Sequence, residues 1–181
     1  MNAQITLFRP DAGPRHLNPH LVRPAKPGRV YAIPLPTTPL LTGALRYVDW
    51  SDAYAVLPPR GAPRRDPQEW ADAIFHGPPL WVRALFGVRE VAVRLVGIEP
   101  GGSHVFATVN WRPDEVLVGT DQGHLGFRAS VLVEPCRVVL STVVQLRNRR
   151  GRVYSALVRR IHPWVVRGML ARASRKMGGT S

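Results

Sequence analysis

Side chains that could move a proton or hold an anion lie close together in one stretch of this sequence. Asp121, His124 and Arg128 flank a turn and the start of a strand. An imidazole transfers protons near neutral pH, a carboxylate can orient it, and a guanidinium can hold a carboxylate or enolate. A structural role is the alternative: Asp121 caps the turn and pairs with Arg128, which fixes the hairpin. The pattern alone leaves both interpretations open.

Tyr154 is a further candidate for chemistry. Ala156 and Val158 alternate with it, which predicts a strand over 152–160 with the tyrosine on its apolar side. From there the hydroxyl could polarise a substrate carbonyl. The alternative is that this hydroxyl bonds a neighbouring backbone group.

The sequence gives no support to metal or cofactor chemistry. His76, His104 and His162 are scattered, without the neighbouring His and carboxylate ligands that metal sites require. Glycine-rich phosphate loops, serine nucleophile elbows and Cys–His pairs are absent from the sequence, and the single Cys136 excludes an internal disulfide. We therefore expect no metal and no cofactor.

The elements that would position these residues follow a proline-rich N-terminal segment. Residues 1–43 hold eight of the 18 prolines, which predicts an extended arm that could add one edge strand within 30–35. Apolar alternation predicts a strand over 48–56. Two helices should follow, one capped by Asp66 and one over 80–94.

From residue 103 onward, apolar residues recur at every second position. This period predicts about five antiparallel strands between residues 103 and 160, joined by short polar turns. A final helix is predicted from Pro163 to Met177, because a proline fits the first turn of a helix. One amphipathic helix can cover the apolar face of an antiparallel sheet.

We therefore expect an α+β helix-grip fold. In this fold a curved antiparallel sheet wraps around a long C-terminal helix, here with two short helices after the first strand. The domain should span 44–177, preceded by the arm at 1–43 and followed by a frayed tail at 178–181.

Several stretches of the sequence resemble a known family. They are Val48-Asp49-Trp50-Ser51-Asp52-Ala53-Tyr54, Pro79-Leu80-Trp81-Val82, the run from Gly119 to Ser130, and the run from Asn148 to Tyr154 together with His162. They are similar to a bacterial domain family of unknown function, which occurs alone and fused behind nucleotide-sugar-epimerase-like domains. That family looks like a branch of the START-like, or polyketide cyclase, superfamily of SRPBCC type. The resemblance covers 44–177 and implies the helix-grip fold.

A helix-grip fold predicts a cavity, because one helix rarely fills the concavity of a curved sheet. We expect a small-molecule-binding protein whose cavity between the sheet and the last helix takes an apolar or amphipathic ligand. The expected lining residues are Trp50, Tyr54, Trp81, Phe127, Leu140, Val144 and Met169. The same side chains could instead form a dry core.

An enzymatic function is the first alternative. Superfamily relatives shape an apolar substrate and add one or two acid or base groups. The resemblance therefore also allows a cofactor-independent cyclase or dehydratase acting on a polyketide-like or other apolar substrate. Its catalytic residues would be Tyr154, His124, Asp121 and Arg128.

The charge balance indicates a further alternative. The chain carries 25 basic and 12 acidic residues, for a net charge of +13, and no acidic residue follows Glu134. Such a field attracts phosphates or anionic lipid head groups, so the C-terminal third could bind nucleic acid or an anionic membrane, or could simply be a solvated face. The mean hydropathy of −0.09 excludes an integral membrane protein. With no targeting segment visible, we expect a cytoplasmic protein.

Overall fold

The structure is a computed structural model that describes residues 26–85 and 106–179, apart from the side chains of Tyr154 and Leu157. The described residues form one antiparallel sheet with helices on one face, an α+β arrangement. The strands are β1 (Val30–Ala32), β2 (Trp50–Val56), β3 (Thr108–Trp111), β4 (Glu115–Asp121), β5 (Leu125–Val133) and β6 (Val138–Leu146). The helices are α1 (Pro67–Phe75), α2, whose described part is 80–85, and α3 (Arg149–Gly178).

The strands lie in the order β1-β2-β6-β5-β4-β3. The strands from β3 to β6 form a meander, since each pairs with the next along the chain. The period-two alternation that predicted them is confirmed. It puts Val131 and Leu140 on the face that packs against α1 and α3, which we call the inner face. The predicted edge strand within 30–35 is confirmed as β1, which pairs with β2.

Helix α1 begins where its sequence predicts. The side chain of Asp66 accepts a hydrogen bond from the backbone N–H of Gln68, and Pro67 occupies the first turn, where its missing N–H costs nothing. Trp70 and Ile74 are buried against the sheet at 3% and 0% exposure. The cap and the apolar stripe together fix which side of α1 faces the strands.

The start of α3 differs from the sequence prediction. The strand predicted over 152–160 is wrong: this segment belongs to α3, and Tyr154 lies in that helix. Asn148 caps it by accepting a hydrogen bond from Gly151 N at 2.9 Å. Pro163 therefore sits inside a 30-residue helix rather than in its first turn.

Packing explains why the helix continues through a proline. Pro163 has no N–H, so the carbonyl of Arg159 lacks its intrahelical donor. The predicted apolar stripe beyond it is confirmed, because Val166 is 5% exposed and Leu170 and Ala173 are 0% exposed. Burial of this stripe against the sheet outweighs the lost hydrogen bond.

The second face of the sheet is crossed by residues 33–47, which we call the N-terminal strap. Thr38 Oγ1 donates a hydrogen bond to Glu115 Oε1 at 2.7 Å, and Ser130 Oγ donates to the same oxygen. Thr38 and Glu115 are 6% and 1% exposed. At the far end of the strap, Tyr47 donates to the carbonyl of Leu146 at 3.0 Å. The strap therefore shields the face that the helices leave free.

Candidate ligand-binding site

The inner face is covered unevenly along its strands. Cross-strand partners on this face form rows that run across β4, β5, β6 and β2. The first row consists of Thr120, Phe127, Val144 and Trp50. The second row consists of Val118, Ala129, Thr142 and Asp52. The rows toward the other end of the sheet are buried. Thr120, Phe127 and Trp50 are only half-buried. We call this first row the open end of the inner face.

An acid–histidine pair lies beside the open end. Asp52 on β2 and His162 on α3 approach each other at 2.9 Å between Oδ2 and Nδ1. Their side chains are 22% and 15% exposed. Asp52 Oδ1 is buried and makes no hydrogen bond within the described residues. The carboxylate thus orients the imidazole through one oxygen and has acceptor capacity left on the other.

Trp50 holds the first half of α3 against this pair. Its indole N–H donates to Ser155 Oγ at 2.7 Å. Its ring contacts the His162 ring edge-on, with centroids 5.2 Å apart and planes at 80°. The guanidinium of Arg159 lies 5.7 Å from the indole centroid, within cation–π range. Trp50 therefore positions His162 and closes one side of the site.

Aromatic side chains form the opposite wall. Phe75 of α1 stacks on Phe106 with ring centroids 4.6 Å apart. Phe106 meets Phe127 of β5 edge-on at 5.9 Å. The open end therefore has a polar pair on the β2 side and an apolar aromatic wall on the β5 side.

The structure divides the seven predicted lining residues. Trp50, Phe127 and Val144 belong to the row at the open end, although Val144 itself is only 4% exposed. The others in the sheet and in α3 belong to the closed core, where exposure is 5% or less: Tyr54, Leu140 and Met169. Trp81 is 46% exposed and lies outside the core, against Gly168 of α3.

Tyr54 connects the core to the polar pair. Burial raises the pKa of its hydroxyl, the negative charge of Asp52 raises it further, and the positive charge of Arg167 opposes both effects. The Arg167 guanidinium lies 5.3 Å from the tyrosine ring. Tyr54 therefore remains a neutral hydroxyl beneath the site.

Asp121 and Arg128 lie on the second face of the sheet, away from Asp52 and His162. Asp121 contacts Arg128 and Arg147, each at 2.5 Å. Arg128 also donates to the carbonyls of Thr120 and Phe127 at 3.1 and 2.9 Å. The hydrogen bond from Arg128 is the main reason that the pKa of Asp121 is lowered. The ion pair between Asp121 and Arg128, which the sequence suggested as a structural alternative, is therefore present.

His124 and Tyr154 are the two remaining candidates for chemistry. His124 lies in the β4–β5 turn, 7% exposed, and its carbonyl accepts from Arg147 N at 3.0 Å. A Cβ on Gly151 of α3 would come within 2.3 Å of that same carbonyl oxygen. Tyr154 lies in α3, with its side chain outside the described residues. A catalytic role for any of these residues stays a prediction.

Sequence reasoning missed the Asp52–His162 pair. The two residues are 110 positions apart, so their spacing carries no signal. The available signal was local: Asp52 is a charged residue at an inward position of a strand whose other inward residues are Trp50, Tyr54 and Val56. Such a residue requires a partner from elsewhere in the fold.

Within the described residues, no group of His, Cys, Asp or Glu could hold a metal ion. In the same part of the chain, no helix combines the length and apolarity needed to span a bilayer.

The fold and site define an α+β domain with a partly buried Asp–His pair on the helix-covered face of one antiparallel sheet. Residues 44–169 match the family described as protein of unknown function (DUF2867). Because this match covers more than half of the chain, the protein belongs to that family. No curated protein and no solved structure gave a significant match.

Proposed function

We propose that this protein is a small-molecule-binding protein of helix-grip, START-like type. Its apolar or amphipathic ligand lies between the inner face and α3 and enters at the open end. The observation that carries the proposal is the buried Asp52 Oδ1, which lacks a partner within the described residues beside half-buried aromatic side chains. The antiparallel sheet packed on the long helix α3 supports the proposed fold type.

The site favours a ligand with one polar end. A buried acceptor without a hydrogen bond costs about 1–3 kcal/mol, which a ligand hydroxyl or amine donor would recover by bonding Asp52 Oδ1. Phe127 and Trp50 offer apolar surface for the remainder of the ligand. Polar groups that fix orientation within an apolar lining are typical of small-molecule sites.

Uptake of the neutral fluorescent probe N-phenyl-1-naphthylamine tests the proposal. We expect saturable binding that Thr120→Trp weakens at least about tenfold, since the larger side chain fills the open end. The matched control is Val109→Trp on the exposed strand β3. Uptake that does not saturate, or that Thr120→Trp leaves intact while the protein stays folded, would contradict the proposal.

The Asp52–His162 pair supports a second candidate, an enzyme of cyclase or dehydratase type. With Nδ1 bonded to the carboxylate, the other ring nitrogen of His162 could take a proton from a bound substrate. The probe is 2-decanone in heavy water, where NMR measures deuterium exchange next to the carbonyl. We expect exchange that His162→Gln slows at least about tenfold. If the protein does not accelerate the exchange, the enzymatic candidate is contradicted and ligand binding remains the proposed function.

A further inference from the structure

Large apolar side chains lie exposed on the outer surface of α3 and on α2. On α3, Trp164 is 70% exposed, Val153 67% and Ile161 37%. On α2, Leu80 is 80% exposed and Trp81 46%. An exposed apolar patch that contains two tryptophans is unusual for a surface that faces only water.

These residues form one surface, which we call the tryptophan surface (Leu80, Trp81, Val153, Ile161 and Trp164). A Cβ on Gly168 would lie 2.5 Å from the ring of Trp81, so α2 packs directly on α3 at this glycine. Trp164 and Ile161 lie one and two helical turns before Gly168 on the same side of α3. Val153 continues the stripe toward the start of the helix.

Basic residues flank the tryptophan surface. Arg160 is exposed one turn before Trp164, and Arg83 is exposed on α2. The sequence of α3 contains no acidic residue. Tryptophan and aliphatic side chains therefore share one side of the molecule with positively charged arginines.

We propose that the tryptophan surface docks on an anionic lipid bilayer. Tryptophan prefers the membrane–water interface, exposed aliphatic residues enter the acyl boundary, and flanking Arg residues attract anionic head groups. Nucleic acid would use the Arg residues but would gain little from Leu80, Val153 and Ile161. The apolar part of the surface therefore favours the membrane.

This proposal is independent of the ligand at the open end. Vesicle binding depends on the outer surface of α3, whereas probe uptake depends on the inner face of the sheet. Either experiment can fail while the other succeeds.

Cosedimentation with vesicles tests the docking surface. The full-length protein is mixed with vesicles of phosphatidylcholine alone, or of phosphatidylcholine and phosphatidylglycerol in equal parts. We expect binding to the anionic vesicles that weakens as salt is raised. Arg160→Glu should weaken binding to the anionic vesicles about thirtyfold, because it changes the charge by two units and each unit contributes about 1 kcal/mol. Trp164→Ala should weaken it about tenfold through lost apolar burial.

Matched controls come from the edge strand β3 and the turn that follows it, away from the tryptophan surface. Arg112→Glu makes the same charge change on the β3–β4 turn, and Trp111→Ala removes the same side chain from a site that is 53% exposed. Both should bind as the unsubstituted protein does, and thermal melting should show that all four variants are folded. The proposal is overturned if anionic vesicles are not bound, or if the controls lose as much affinity. Tighter binding to duplex DNA that depends on the same α3 residues would also overturn it.

Discussion

The hydrogen bond between the N-terminal strap and β4 gives a quantitative test of the fold. Thr38→Val removes the hydroxyl that donates to Glu115 Oε1 and keeps the shape of the side chain. A hydrogen bond to a charged group is worth about 1.5–3 kcal/mol, and Glu115 at 1% exposure cannot replace it with bulk water. We expect the free energy of unfolding to fall by about 1.5–3 kcal/mol, which for a chain of this size lowers Tm by about 3–12 °C.

Urea unfolding of four proteins isolates this contribution: the unsubstituted chain, Thr38→Val, Glu115→Leu, which removes the acceptor oxygens, and the double variant. The control is Thr42→Val, an exposed position one turn along the strap, which should change stability by less than about 0.5 kcal/mol. If the bond is the cause, the two single effects are not additive. Additive effects, or a Thr38→Val protein as stable as the Thr42→Val control, would refute the reasoning.

Other substitutions test the remaining contacts. Leu170→Ala, at a side chain with 0% exposure, should lower the free energy of unfolding by about 2–5 kcal/mol; Arg175→Ala, on the exposed side of α3, should change it by less than about 0.5 kcal/mol. Because the pKa of Asp121 is lowered from 3.8, its ionised form stabilises the fold above that pH, and the contribution is lost as pH falls through the lowered pKa. Asp121→Asn should therefore flatten the acid limb of a stability-against-pH curve. Gly151→Ala should destabilise by about 1–3 kcal/mol in urea unfolding, since its Cβ would meet a turn carbonyl at 2.3 Å.

Local patterns predicted most of the meander and α1. On the inner face of β5 an apolar residue recurs at every second position from Leu125 to Val133, and β6 shows the same spacing except at Thr142. The start of α1 carried its own cap in Asp66. These elements can be predicted from the sequence because the residues that define each one lie within a few positions of one another.

The first residue of α3 and the composition of the site are determined by contacts between residues that are far apart in the sequence. Around Tyr154 the same apolar alternation fits a short strand or one side of a helix, and Pro163 suggested a later helix start. Asn148 and Gly151 mark the true start, but the need for a glycine becomes evident only when the turn carbonyl is in place. The Asp52–His162 pair likewise forms only when α3 lies across β2.

The position of β2 beside β6 has a consequence for how this chain folds. The hairpins from β3 to β6 join neighbouring segments and can form early. By contrast, the carboxylate of Asp49 accepts a hydrogen bond from Leu146 N across 97 residues. Such a long loop must close before its contacts offset the lost chain entropy, and such closures slow folding. We therefore expect the meander to form first and the docking of β2 to limit the folding rate. The polar pair at the open end would then assemble in the last step.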